Sequence, residues 1–139
     1  MSIYCVLVAR REASCTCGQL RAVVEGDPRR VSICHCFACQ RRTGSAFGVQ
    51  SRFDRDQVHI TGTSQQYTRR SDESDEQATF HFCPECGATV YFTNTATPEV
   101  MGIPVGAFAD PGFPSATVSV WEDRMHHWVT LPAEIRHVP

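Results

Sequence analysis

The chain has 139 residues, 42% of them apolar, enough to bury a core, and is expected to form one domain over residues 1–139. Its formal charge of −2 makes nucleic acid a poor partner by bulk electrostatics. All 13 basic residues are arginine, which excludes Schiff-base chemistry on a lysine.

At the start of the chain, the apolar run Ile3 to Val8 precedes Arg10 and Arg11. That is the wrong order of charge for a secretory signal, and the run is too short to span a bilayer. A cytoplasmic protein with no membrane partner is therefore expected. Cys5, inside this run, reads as a small buried apolar side chain.

Short period-2 segments follow, separated by turn residues: Leu20 to Val24, Val31 to Ile33, Gln57 to Ile60, Ala78 to Phe82 and Thr89 to Phe92. These predict strands. Further strands are expected at Val100 to Ile103, Val118 to Trp121 and Trp128 to Thr130, among prolines that exclude long helices from the final third. A single helical turn, Phe37 to Arg42, is expected to end at Thr43-Gly44, where glycine can adopt the left-handed conformation. Asp72, Glu73, Asp75 and Glu76 read as a solvated hairpin loop, and the fold class is all-β.

Seven of the eight cysteines fall into three clusters, Cys15-Thr-Cys17, Cys34-His-Cys36-Phe-Ala-Cys39 and Cys83-Pro-Glu-Cys86. In a reducing compartment such clusters point to metal ligation or redox chemistry before disulfides. Cys83-Pro84-Glu85-Cys86-Gly87 has the form of a zinc knuckle, in which proline pre-sets a tight turn and glycine lets backbone N–H groups approach sulfur. A knuckle supplies two of four ligands. Cys15 and Cys17 are the only other two-cysteine unit, so Cys15, Cys17, Cys83 and Cys86 are expected to close one structural zinc site, with a redox dithiol or a site borrowing His81 as alternatives. Bound zinc thiolates would add about three further negative charges.

Cys34, Cys36 and Cys39 offer three thiolates within six residues and leave a fourth position open, the form of catalytic zinc sites. A free thiol of pKa about 8.5 is only about 3% ionised at pH 7, so coordination would raise the reactive fraction. His35 is a candidate fourth ligand, but in an extended segment it faces away from its neighbours. Arg41 and Arg42 can hold a substrate carboxylate bidentately, or simply balance thiolate charge in solvent. Thr43, Gly44 and Ser45 can offer backbone N–H groups to a ligand. His126 and His127, near Trp121 and Trp128, can edge a pocket or belong to a strand-and-turn surface.

The residues Cys15-x-Cys17-Gly18, Cys34-His35-Cys36-x-x-Cys39-Gln40-Arg41-Arg42-Thr43-Gly44-Ser45-Ala46-Phe47 and Phe82-Cys83-x-x-Cys86-Gly87 resemble the glutathione-dependent formaldehyde-activating, or Gfa-like, family of zinc proteins. The resemblance implies a β-tent of two curved antiparallel sheets, stabilised by structural zinc at Cys15, Cys17, Cys83 and Cys86. It implies a second, catalytic zinc at Cys34, Cys36 and Cys39, hence two zinc ions per chain and glutathione, or another small thiol, as partner. The implied activity is that of a carbon-sulfur lyase of the S-(hydroxymethyl)glutathione synthase type. In that chemistry the open position would receive the glutathione sulfur or the aldehyde oxygen.

Two other functions compete with this one. The first is a non-enzymatic zinc-stabilised binding module, since centromere protein V is similar to this family and acts in chromatin. The second is a thiol redox protein akin to the methionine sulfoxide reductase B proteins. No sequence feature identifies an oligomeric state or the electrophile.

Overall fold

The computed structural model describes residues 8–139, so Cys5 lies outside the described residues. Two sheets form. The smaller joins β1 (Arg10–Ser14), β2 (Arg21–Glu25) and β5 (Val58–Thr61) in antiparallel order β1-β2-β5. In β2 the side chains alternate strictly, with Ala22 and Val24 turned inward and Arg21 and Glu25 outward, as a half-buried strand requires.

The larger sheet contains β3 (Arg30–Cys34), β4 (Gly48–Asp54), β6 (Gln65–Arg70), β7 (Gln77–Phe82), β8 (Thr89–Asn94), β9 (Val100–Pro104), β10 (Val118–Val120) and β11 (Arg136–Val138). Its order is β11-β10-β3-β4-β9-β8-β7-β6. The expected two-sheet, mainly β architecture is therefore present. One part departs from a purely antiparallel arrangement: β10 runs parallel to both β3 and β11. The physical reason is the length of the crossovers, residues 105–117 and 121–135, which return the chain to the sheet edge in the same direction.

The core lies between the two sheets. Ala13, Leu20, Ala22 and Val24 from the small sheet and its adjoining turn meet Val31, Phe53, Val90 and Ile103 from the large one. Phe108 closes one end, stacked on Phe113 at 4.6 Å and tilted against Phe53 at 6.3 Å.

The one α-helix among the described residues, α1 (Phe37–Thr43), lies between β3 and β4. Cys36 caps its N-terminus, its sulfur accepting the Cys39 N–H at 3.3 Å. Gly44 ends it at φ 65°, donating its N–H to the Gln40 carbonyl at 2.9 Å.

The other departures have local causes. Trp128 to Thr130 form no strand; Val129 N–H donates to the His126 carbonyl in a turn, and Trp128 is exposed. Trp121 ends β10 at φ 58°, a left-handed conformation. Four strands lack a visible apolar alternation, namely β1, β4, β6 and β11. In β4, Gln50 and Ser51 are buried on opposite faces, and each finds a partner: Ser51 Oγ donates to the Ile103 carbonyl at 2.8 Å and Gln50 Nε2 to Cys39 Sγ at 3.3 Å.

Gly102 pairs with Phe92 across β8 and β9, and a Cβ there would stand 2.1 Å from the phenyl ring. Gly102→Ala should cost about 1–3 kcal/mol through overpacking, measured by denaturant unfolding. The double variant Gly102→Ala/Phe92→Leu should recover part of the loss; no recovery would assign the effect to the backbone instead.

Candidate metal centres

Two similar turns build the first centre. After β1, Cys15 N–H donates to the Leu20 carbonyl at 3.0 Å, and Gly18, at φ 85°, donates back to Cys15 at 3.1 Å. After β7, Cys83 N–H donates to Ala88 at 3.0 Å, and Gly87, at φ 79°, donates back to Cys83 at 2.8 Å. The glycines are required because each turn needs a positive φ.

Together the turns bring the sulfurs of Cys15, Cys17, Cys83 and Cys86 within 4.8 Å of one another. Cys17 Sγ lies 3.6 Å from both Cys15 Sγ and Cys83 Sγ. Tetrahedral zinc with Zn–S bonds of about 2.3 Å sets its sulfurs about 3.8 Å apart, so the four-sulfur set fits such an ion. Cys15 and Cys83 are buried, and Cys17 and Cys86 reach the surface.

Donors converge on these sulfurs. Leu20 N–H approaches Cys15 at 3.3 Å, and Glu85 N–H approaches Cys83 at 3.4 Å. Gln19, which the sequence did not single out, donates from Nε2 to Cys83 Sγ at 2.9 Å. The same amide holds Thr63, donating to its carbonyl at 2.7 Å and accepting its N–H at 2.9 Å.

Hydrogen bonds from the N–H groups of Ala88 and Cys17 draw the Cys86 thiol down to about 6. For Cys83, burial raises the thiol, but Gln19 and the N–H groups of Cys86 and Glu85 outweigh it and lower it. Cys17 goes the other way, to about 11: the Gln19 N–H favours its thiolate, but neighbouring Cys15, burial, Cys83 and Cys86 oppose it. His81 is not among the gathered ligands. It stacks on Tyr91 at 4.2 Å and meets Ser64 Oγ through Nδ1 at 3.1 Å.

The second centre is continuous in sequence. Cys34 ends β3, Cys36 caps α1 and Cys39 occupies its first turn, so their sulfurs also gather within 4.8 Å. Hydrogen bonds from Cys34 and Cys39 push the Cys36 thiol down to about 2. The complementary effect raises Cys34, chiefly through Cys36 and then Cys39. For Cys39, its bond with Cys34 favours the thiolate, but Cys36 and burial outweigh this and raise it. Three sulfurs arranged around one charge suit a cation with one tetrahedral position to spare.

His35 turns away from that centre, as alternation in an extended segment demands. It is fully buried, bonds to Ser119 Oγ through Nε2 at 2.9 Å and meets the Phe47 ring edge-on at 6.0 Å.

Beside Cys39 opens a cavity of about 560 Å³. Arg41 and Arg42 line it from α1; Arg41 is exposed, and Arg42 lies over Phe80 at 5.0 Å with its buried Nε and Nη2 lacking a partner among the described residues. Ser45 is exposed, donates its N–H to Thr43 Oγ1 at 3.2 Å and is not among the lining residues. Thr43 Oγ1 donates to the Cys39 carbonyl at 2.8 Å, while His126 bonds Gln40 outside the cavity.

The hairpin loop between β6 and β7 is exposed as expected except in one respect. Asp72 lines the cavity and pairs with Arg69 at 3.3 Å and with distant Arg124 at 3.2 Å, whose guanidinium also lies over Phe37 and Trp121. Tyr67, Arg69, Phe82 and Arg124 also have no sequence signal, because only the pairing of β6 with β7 and the contact of Arg124 with Asp72 bring them together.

Fold and sulfur geometry define a mainly β protein with two cysteine clusters suited to metal ions. The family model described as "Glutathione-dependent formaldehyde-activating enzyme" matches residues 10–130, and the chain belongs to that family. A crystal structure of a Rhodobacter sphaeroides protein shares the fold, with a TM-score of 0.55 and 17% identity over 91% of this chain and 99% of that one. No curated protein matches the sequence. Among the described residues, no helix is long and apolar enough to cross a membrane.

Gly62, at φ 95°, approaches Gln19 so closely that a Cβ would stand 1.9 Å from its carbonyl oxygen. Gly62→Ala should therefore displace the amide that holds Cys83, lowering the melting temperature and speeding metal release to a chelator, at a cost above about 1 kcal/mol. Gly106→Ala, with nothing within 4 Å, should leave both unchanged.

Proposed function

We propose that this chain is a cytoplasmic zinc enzyme, one domain with two zinc ions, acting as a carbon-sulfur lyase on the adduct of glutathione, or a similar small thiol, with formaldehyde or a related electrophile. The observation that carries the reading is the three-sulfur centre, one ligand short of a tetrahedral set, beside a cavity lined by Arg41 and half-buried Arg42. Family membership supports glutathione as the thiol.

In the synthetic direction the thiol sulfur bonds to the aldehyde carbon, and the thiol proton ends on the carbonyl oxygen. Cys34, Cys36 and Cys39 would hold the ion, which supplies a Lewis acid for the substrate sulfur or the aldehyde oxygen. Gln50 steadies Cys39 by donating to its sulfur. Arg42 and Arg41 line the cavity from α1 and supply positive charge for a substrate carboxylate, with Ser45 a more distant contact. Phe80 walls the cavity and limits water around the reacting sulfur.

Cys15, Cys17, Cys83 and Cys86 take the structural role in this proposal. A structural zinc contributes about 10–16 kcal/mol of apparent binding energy, comparable with the whole stability of a domain, about 5–15 kcal/mol. Elemental analysis should find two zinc ions per chain in the wild type and one in Cys36→Ala with an unchanged circular dichroism spectrum. Cys83→Ala should be insoluble or molten; a well-folded Cys83→Ala with the wild-type melting temperature would remove the structural assignment. One zinc in the wild type, with a readily oxidised thiol pair, would favour a thiol redox protein.

Exchange between formaldehyde, glutathione and their adduct, followed by NMR, should accelerate when the zinc-loaded protein is added. An exchange rate equal to that in buffer would end the formaldehyde assignment.

A further inference from the structure

The cavity beside Cys39 is furnished for more than a one-carbon group. Four aromatic side chains line it: Phe37 from α1, Tyr67 from β6, and Phe80 and Phe82 from β7. Phe37 and Tyr67 are 48% and 65% exposed, two of only four large apolar side chains so exposed among the described residues. Aromatic faces left in water at a cavity mouth gain binding energy only when a ligand covers them.

Charge is placed just as unevenly. Asp72 balances Arg69 and Arg124, while Arg41 and Arg42 line the cavity with no carboxylate paired to either among the described residues. A ligand matching both halves carries a carboxylate and a flat apolar group. A hydroxymethyl adduct of a carboxylated thiol matches only the charged half, since one carbon covers almost none of the aromatic wall.

We propose that this cavity selects thiol adducts whose electrophile-derived group is aromatic, so that the electrophile is an aromatic aldehyde. The proposal rests on the reading of Cys34, Cys36 and Cys39 as the reacting centre for a glutathione-like thiol. The step is hemithioacetal formation: the sulfur–carbon bond forms, the carbonyl π bond opens and the thiol proton passes to the oxygen. Reversal breaks the sulfur–carbon bond and returns the proton to sulfur, so no oxidant or reductant enters.

Two unreactive thioethers separate this inference from the reading beneath it. Titration calorimetry of the zinc-loaded full-length protein would compare S-benzylglutathione with S-methylglutathione, which differ only in the group placed beyond sulfur. The benzyl ligand should bind at least about tenfold more tightly. In the double variant Phe37→Ala/Tyr67→Ala, whose changes lie at exposed positions, that preference should shrink toward unity while S-methylglutathione affinity is retained. Equal affinities in the wild type would overturn the aromatic selection and leave the glutathione reading standing. A preference undiminished in the double variant would also overturn it, because the aromatic wall would not be its source. Binding of neither ligand would remove the glutathione reading and this inference together.

Discussion

The meeting of two tight turns, one after β1 and one after β7, is the constraint on which the rest of the structure depends. They bring four sulfurs to within 4.8 Å of one another, linking the start of the small sheet to the far part of the large one. Four thiolates gathered this closely repel one another unless a cation lies among them. A divalent ion relieves that conflict because it favours every thiolate at once. Gln19 extends the connection by joining Cys83 to Thr63, at the end of the third strand of the small sheet.

The three-cysteine centre depends on the large sheet in a different way. β3 delivers Cys34, β4 returns past it through the Cys34–Gly48 pair, and the short helix between them carries Cys36 and Cys39. A Cβ on Gly48 would meet Cys39 Cβ at 3.3 Å, which leaves little room for the helix to shift. Gln50, two residues further along β4, donates to the Cys39 sulfur. The centre is thus held on regular elements, whereas the cavity beside it is partly closed by the β6–β7 hairpin through Asp72.

Legibility in the sequence varied with how local each feature is. The helix, its Gly44 terminus, the knuckle and the turn of His35 away from the three-cysteine centre follow from spacing and backbone preference over a few residues. Strand β4 has no clear sequence signal because polar Gln50 and Ser51 are both buried, one on each face, and their burial is tolerable only once Cys39 and Ile103 stand opposite. Trp128 to Thr130 misled in the opposite sense: apolar side chains suggested a strand, but no neighbouring strand is there to receive them. The parallel pairing of β10 was equally invisible, since direction depends on the path of two long crossovers.

The sequence by itself determined the cysteine clusters, their division into a closed set of four and an open set of three, and the mainly β class. Those features reside in local spacing, which the chain carries whether or not it is folded. Only the tertiary structure decided that Asp72 meets Arg124 across 52 residues, that Arg42 lies over Phe80 with donors to spare, and that aromatic rings from three elements face one cavity. Such contacts depend on strand order and register, and a one-residue slip in β6 or β7 would turn those side chains to the opposite face of the sheet.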